Sequence, residues 1–300
     1  MDQKFIDELK SVLDESQILK NEPMSQHTSF RVGGPAELFL KPEAGQIGDI
    51  IYLCRQNGMP YVVLGNGSNL LVADSGIAGV VIEIGNNLSN ISIDKNKIIA
   101  GAGATLSNCA QAAAQKGLSG MEELAGIPGS IGGAVAMNAG AYGGEIKNIL
   151  SSVKVINQQG EMQILTVEEL ELGYRTSIIQ QNHYIVVEAE FELCKGEESQ
   201  IRQKMKELSQ RRIEKQPLDY PSAGSTFKRP PNHFAGKLIM DAGLAGLRVG
   251  GAMVSEKHCG FIINYDHATA TDIMNLIQLV QQKVFDQFQI CLEPEVLIIK

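Results

Sequence analysis

Apolar residues recur along this chain at two spacings, and the switches between them outline its elements. MDQKFIDELKSVLDESQIL sets apolar residues at helical intervals among charges and predicts an amphipathic helix at the N-terminus. After the link NEPMSQHTSF, AELFLKP predicts a strand, QIGDIIYLCRQNG a helix ended by Gly58, and YVVLG a second strand, which together make a β–α–β unit. VVIEIG and KIIAGAGA predict further strands, and SNCAQAAAQKG a helix. From residue 150 to 193, SSVKVIN, EMQILTV and YIVVEAEFEL have the branched, alternating character of strands, with EELELGYR as a short helix-like stretch among them. The pattern breaks at KGEES and resumes as the polar IRQKMKELSQRRIEK. It breaks again at QPLDYPSAG, whose two prolines predict a boundary near residue 216. Beyond it, TDIMNLIQLVQQKVFDQF predicts an amphipathic helix and LEPEVLIIK a closing strand.

Three hundred residues fit one large domain or two to three modest ones, with ample length for a substantial core. The formal charge of −8 excludes a generic nucleic-acid binder, whose surface must displace counterions from phosphate. An anionic ligand must then be held by local positive charge, which residues 202–215 and 228–229 supply, or by helix N-termini. Cys54, Cys109, Cys194, Cys259 and Cys291 form no CxxC pair, and the five histidines show no HExxH or HxH spacing. Reduced thiols that pack are therefore expected, and a metal site is not. The N-terminus lacks the uninterrupted apolar core of a signal peptide, so cytoplasmic residence is expected.

Glycine changes the picture most. GIPGSIGGAVAMNAGAYGG (Gly126–Gly144) holds seven glycines and no charge. So much glycine is costly to order, and what a chain without Cβ atoms gains is close approach to a flat or charged ligand. Its glycines, Pro128 and Asn138 make it too polar to span a membrane, so no membrane insertion is expected. Ser130, Asn138 and Tyr142 stand among the glycines as polar anchors, a pattern suited to a flat ring lying on backbone. LGNGSNLL (Leu64–Leu71) follows a strand; Gly65 and Gly67 permit a tight turn there, while Ser68 and Asn69 add donors. That arrangement suits a diphosphate or an ordinary β-turn equally well. GAGATL (Gly101–Leu106) opens like a dinucleotide fingerprint without its third glycine. Three such segments point to one extended ligand gripped along its length, and FAD fits better than a mononucleotide.

Three further motifs carry chemistry. Arg175 ends GYR; Ser225 in GSTFKRP precedes Lys228 and Arg229 without forming a GxSxG elbow; and LEPEV sets Glu293 and Glu295 on one strand face. Taken singly, each also reads as a surface arginine, a turn serine or a solvated strand edge.

In this order, GNGSNLL, GIPGSIGGAVAMNAGAYG, GYRTS, GSTFKRP with AGKLIMDAGLAGLRVGGAMVSEKHCGFIIN, and LEPEV closely resemble the UDP-N-acetylenolpyruvoylglucosamine reductase family over residues 22–298. The resemblance implies an α+β fold of the vanillyl-alcohol-oxidase (p-cresol methylhydroxylase) type. Its parts would be FAD-binding subdomains at 1–84 (with 292–300) and 85–215, and a UDP-sugar domain at 216–291. It implies non-covalent FAD held by Leu64, Gly65, Asn66, Gly67, Ser68, Asn69, Gly101, Gly103, Gly126, Ile127, Pro128, Gly129, Ser130, Gly132, Gly133, Asn138, Gly140 and Ala141. NADPH would be the reductant, UDP-N-acetylglucosamine enolpyruvate the substrate, and a monomer the expected form. Ser225 matches the family's proton-donating serine, Arg175 and Glu295 its arginine and glutamate, and Lys215 a substrate-binding lysine, with Lys228 and Arg229 adding charge for the diphosphate. Only 49 residues separate Arg175 from Ser225, which matches the shorter, second subclass and leaves the uridine end without an assigned residue.

The implied reaction passes a hydride from NADPH to flavin N5 and on to the enolpyruvyl CH2 carbon, so negative charge develops beside the carboxylate. Arginine suits that charge, because a guanidinium grips a carboxylate bidentately and its attraction grows as charge develops. Serine is a weak acid, but the acceptor carbon is strongly basic, and Lys228 or Arg229 nearby would make the hydroxyl more acidic. Glu295 would stabilise the enol as a neutral acid, which requires burial, or orient a water. The alternative is an FAD oxidase or dehydrogenase of an alcohol or hydroxy acid on the same fold. That chemistry calls for a substrate-side base and often a flavin-linked histidine, and the glycine motifs contain no histidine.

Overall fold

The computed structural model describes residues 2–300, and its contacts group them into two units. The first comprises residues up to 20, 38–66 and 79–211; the second comprises 21–37, 67–78 and 212–300.

Two sheets build the first unit. One has four strands in the order Ile18–Pro23, Pro35–Leu40, Ile77–Glu83, Tyr61–Leu64, and Tyr61–Leu64 runs parallel to Ile77–Glu83. Helix Ile47–Gln56 joins its second strand to Tyr61–Leu64, and its buried Ile47, Ile50, Ile51 and Cys54 form one stripe. The β–α–β unit is present, but Ile77–Glu83 lies between its two strands. Gly79, Val80, Val81 and Ile82 are buried in succession, as a central strand covered on both faces must be. The other sheet is antiparallel, in the order Met162–Thr166, Leu150–Ile156, Ile185–Glu192, Lys97–Gly101, Ile91–Asp94. Helix Leu106–Gln115 starts where Thr105 Oγ1 accepts from the Asn108 N–H, and it buries Leu106, Cys109, Ala110, Ala113 and Ala114. One core runs from Phe5 to Leu193, and each fully buried Ile or Leu in it contributes roughly 1.5–3 kcal/mol.

In the second unit, helix Ala270–Phe288 lies on the three-stranded sheet Arg248–Val249, Ala252–Val254, Ile262–Asn264. A Thr269–Asp272 capping box fixes its start, and Asp74 accepts from the Ala270 and Thr271 N–H groups. Ile273, Leu276, Ile277, Val280 and Val284 are the stripe it buries. Strand Leu297–Ile299 pairs parallel with Leu70–Val72, so the last strand of the chain returns to the unit's middle segment.

Three expectations need correction. The N-terminal helix stops at Leu9. EELELGYR is not helical: it forms turns, because Gly173 N–H bonds Thr176 O and Arg175 sits at φ +56°. LEPEVLIIK is a strand only from Leu297 to Ile299; Pro294, which has no N–H to give a ladder, makes an isolated bridge to Phe227. Among the described residues, no helix is long and apolar enough to cross a membrane.

Candidate active site

Within the first unit, two of the glycine-rich segments are joined by backbone pairing. Leu106 N–H bonds Gly129 O (3.1 Å), Ile131 N–H bonds Ala104 O (2.8 Å) and Gly132 N–H bonds Ala102 O (2.8 Å), which zips 102–106 to 129–132. A Cβ on Gly103 would overlap the Gly85 carbonyl oxygen, and one on Gly65 would overlap Ser130 Oγ. Gly65 is therefore where the turn after Tyr61–Leu64 touches the longest segment, and Gly103 is where 101–106 packs on Gly85. Ser130, buried, caps helix Ile131–Ala136 by accepting from Gly133 N–H. Gly101 and Gly103 are buried, Gly129, Gly132, Gly140, Ala141 and Ile127 half-buried, and Gly126, Pro128 and Gly133 exposed.

This wall fits FAD on two observations. A Cβ at Gly133 would meet only Ser130 Oγ, at 3.5 Å, so the backbone there faces open space of the kind a flat ring can fill. In the LGNGSNLL turn, the Asn66 and Ser68 N–H groups meet no acceptor among the described residues, as donors waiting for a phosphate would. Leu64, by contrast, is buried and Gly67 packs on the His27 carbonyl. Two polar anchors turn away from a ligand role. Asn69 Nδ2 donates to the Glu295 carbonyl (3.0 Å), and the Asn138 amide is engaged within the protein.

Arg175 belongs to this unit. Its Nη2 donates to Gly140 O (3.3 Å), and its guanidinium lies 5.2 Å from the Tyr174 ring centre. A turn of left-handed backbone holds it, which sequence periodicity cannot register.

Ser225 and Glu295 belong to the second unit, and there the fold brings them together. Glu295 N–H bonds Thr226 O (2.8 Å) and Lys228 N–H bonds Glu293 O (2.8 Å), so 225–228 and 293–295 run side by side. Buried Thr226 anchors the pair to the sheet: its N–H bonds Gly260 O (2.8 Å) and its Oγ1 accepts from Ile262 N–H (3.0 Å). Ser225 is exposed and Glu295 half-buried. Two expectations change here. Glu293 does not share a regular strand face with Glu295, because the strand begins only at Leu297, and its carboxylate binds Lys228 Nζ. That ion pair also meets the Lys228 charge expected beside Ser225, and Arg229 stacks 3.9 Å over the Phe234 ring. Lys215 is exposed at the end of helix Glu198–Lys215.

Sequence reading missed Gln216. Its Oε1 is buried with no hydrogen-bond partner, the one side-chain atom so recorded among the described residues, and such an acceptor beside Lys215 suits a bound polar group. Three thiols pack as expected, and burial pushes Cys54 and Cys109 up to about 12, far from reactive, whereas Cys194 and Cys291 are exposed. Among the described residues, no cluster of metal-ligating side chains occurs.

Comparison with known proteins bears on the same regions. Residues 37–166 match the FAD binding domain model, and residues 216–299 match the UDP-N-acetylenolpyruvoylglucosamine reductase C-terminal domain model. The reductase of Clostridium botulinum (strain Okra / Type B1) is 53% identical over 98% of this chain and 96% of its own. The crystal structure of the Thermus caldophilus UDP-N-acetylenolpyruvylglucosamine reductase superposes with TM-score 0.81 at 37% identity, covering 94% of this chain and 98% of that one. Alkyldihydroxyacetonephosphate synthase, at 15% identity and TM-score 0.50, covers 65% of this chain and 41% of its own, and shares the fold alone. A glycine wall open for a flavin, and a serine and a glutamate held on paired segments, thus sit in a chain that belongs to the UDP-N-acetylenolpyruvoylglucosamine reductase family of FAD-containing oxidoreductases.

Proposed function

We propose that Arg175, Ser225 and Glu295 divide the work of the family reaction, the NADPH-dependent reduction of UDP-N-acetylglucosamine enolpyruvate to UDP-N-acetylmuramate in peptidoglycan precursor synthesis. The observation that carries this reading is the pairing of 226–228 with 293–295, which fixes Ser225 and Glu295 on neighbouring backbone although 69 residues of chain lie between them. When bound, FAD supplies the two-electron relay between NADPH and the enolpyruvyl carbon. Residues 64–68, 101–103, 126–133 and 140–141 would hold it. Arg175 takes the substrate carboxylate and stabilises the charge that develops beside it. Ser225 Oγ–H gives its proton to the carbon next to that carboxylate and is restored from solvent, to which it is exposed. Glu295 steadies the enol oxygen. Lys215, Lys228 and Arg229 face the diphosphate end, with Glu293 holding Lys228 in place.

The same reading divides the chain into FAD-binding parts 1–84 with 292–300 and 85–215, and a substrate-binding part 216–291, in a cytoplasmic monomer. The test is anaerobic: NADPH bleaches the yellow protein, and UDP-N-acetylglucosamine enolpyruvate restores the colour. A protein that purifies without flavin, or that stays bleached, overturns the reading.

A further inference from the structure

Asn138 carries more polar bonds than any role in holding a cofactor would use. It is 1% exposed and sits at φ +40°, and its amide makes three hydrogen bonds within the first unit. Nδ2 donates to Gly173 O (3.0 Å) and to Glu145 Oε2 (3.0 Å), while Oδ1 accepts from Lys147 N–H (3.0 Å). Only one orientation of the amide satisfies all three partners, because the other would aim an oxygen at a carboxylate and a carbonyl.

Those partners enclose Arg175. Gly173 is two residues before it, and the Gly173–Thr176 bridge closes over Tyr174 and Arg175. Glu145 pairs across the hairpin with Gly140, whose carbonyl accepts from Arg175 Nη2. On the far side of the turn, buried Ser177 donates to Ala136 O (2.7 Å). The turn is thus tied to the end of helix Ile131–Ala136 before and after Arg175, and Asn138 makes the tie before it. Lys147 above all, with Asn138 and the nearby Arg175 charge, keeps the Glu145 carboxyl below the usual carboxylate range against the opposing effect of burial, so Asn138 meets an anion.

We propose that Asn138 is a positioning residue for Arg175: through the Gly173 carbonyl and the Glu145 carboxylate it aims the guanidinium that receives the substrate carboxylate. The proposal rests on the role given above to Arg175. A guanidinium displaced by about 1 Å loses on the order of 10²-fold in rate, whereas the three bonds of Asn138 all go to protein groups.

Asn138→Gly keeps the left-handed backbone without strain and removes only the amide; Asn138→Asp keeps the shape and turns both donors into acceptors. In either variant, bleaching by NADPH and flavin content stay at wild-type levels, while recolouring by UDP-N-acetylglucosamine enolpyruvate slows by about 10²-fold. Binding of UDP-N-acetylmuramate to the oxidised protein, read from the flavin spectrum, weakens in parallel. In the Arg175→Ala background, adding Asn138→Gly slows recolouring no further. Equal slowing of both half-reactions, or full additivity in the double variant, overturns the proposal, since a merely structural role predicts either. Wild-type recolouring by Asn138→Gly and Asn138→Asp overturns the positioning role alone. Wild-type recolouring by Arg175→Ala overturns the role of Arg175 and the proposal with it.

Discussion

The glycine wall of the first unit and the Ser225–Glu295 pair of the second are both made by backbone pairing, yet they respond to substitution for opposite reasons. In the wall, the contact is the backbone itself: 102–106 is zipped to 129–132, and Gly103 lies where any Cβ would overlap the Gly85 carbonyl. In the pair, the backbone bonds of Thr226, Lys228, Glu293 and Glu295 are a frame, and the groups that act project from it. A wall residue is thus required for shape and a pair residue for chemistry. Stability and turnover should fail separately in the two regions.

The largest effect expected is on turnover. Ser225→Ala slows recolouring by ~10²–10⁴-fold, about 3–5 kcal/mol of barrier, with bleaching and melting temperature unchanged, because Ser225 is exposed and no packing is lost. A fall in melting temperature equal to that of a wall variant would break the comparison. Next comes Gly103→Ala, expected to lose about 3 kcal/mol of stability as the Gly85 carbonyl is forced aside, read as a lower melting temperature and poor flavin retention. Gly133→Ala sharpens the contrast within the wall itself. Its Cβ enters open space, so stability stays within ~0.5 kcal/mol of wild type while FAD affinity drops about tenfold by titration of the apoprotein. Unchanged FAD affinity would show that Gly133 faces nothing.

The smallest effect concerns pH. Lys147 chiefly, then Asn138, lowers the Glu145 carboxyl, so its ionised form is favoured in the folded state. A depressed carboxyl contributes stability at pH values above its unfolded pKa, and that contribution is lost as pH falls through the folded one. Glu145→Gln should therefore lower the melting temperature modestly near neutrality, where the ionised carboxylate contributes in full, and the difference from wild type should vanish as pH falls below the ordinary glutamate range, flattening the acid limb. The size is modest, because Glu145 is partly exposed and its ion pair is screened. An identical acid limb in the variant would remove Glu145 from the account.

Much of this was legible in the chain. The stripe Ile47, Ile50, Ile51, Cys54 and the buried run Gly79–Ile82 were readable because burial on one face or both leaves a period in sequence. The turn at Gly173–Thr176 was not, because a left-handed arginine leaves no period, and EELELGYR looked helical on its apolar spacing despite Gly173. Asn138 left one signal: among polar residues, asparagine best tolerates positive φ, and AMNAG places it directly after a short helix. Its three bonds had no signal, since Glu145, Lys147 and Gly173 are ordinary residues at unremarkable spacing.

The sequence by itself determined the parts: which segments are rich enough in glycine for close-approach backbone, which three residues match an acid, a cation and a carboxyl, and which family carries them in that order. Tertiary structure alone decided their companions. It assigned Lys228 to Glu293, turned Asn69 to the Glu295 carbonyl and Asn138 to the Arg175 turn, and set Ser225 beside Glu295. The reason is physical. Periodicity and motif order report local backbone and composition, whereas a hydrogen-bond partner is chosen by geometry between segments far apart in the chain, and sequence order carries no trace of that distance.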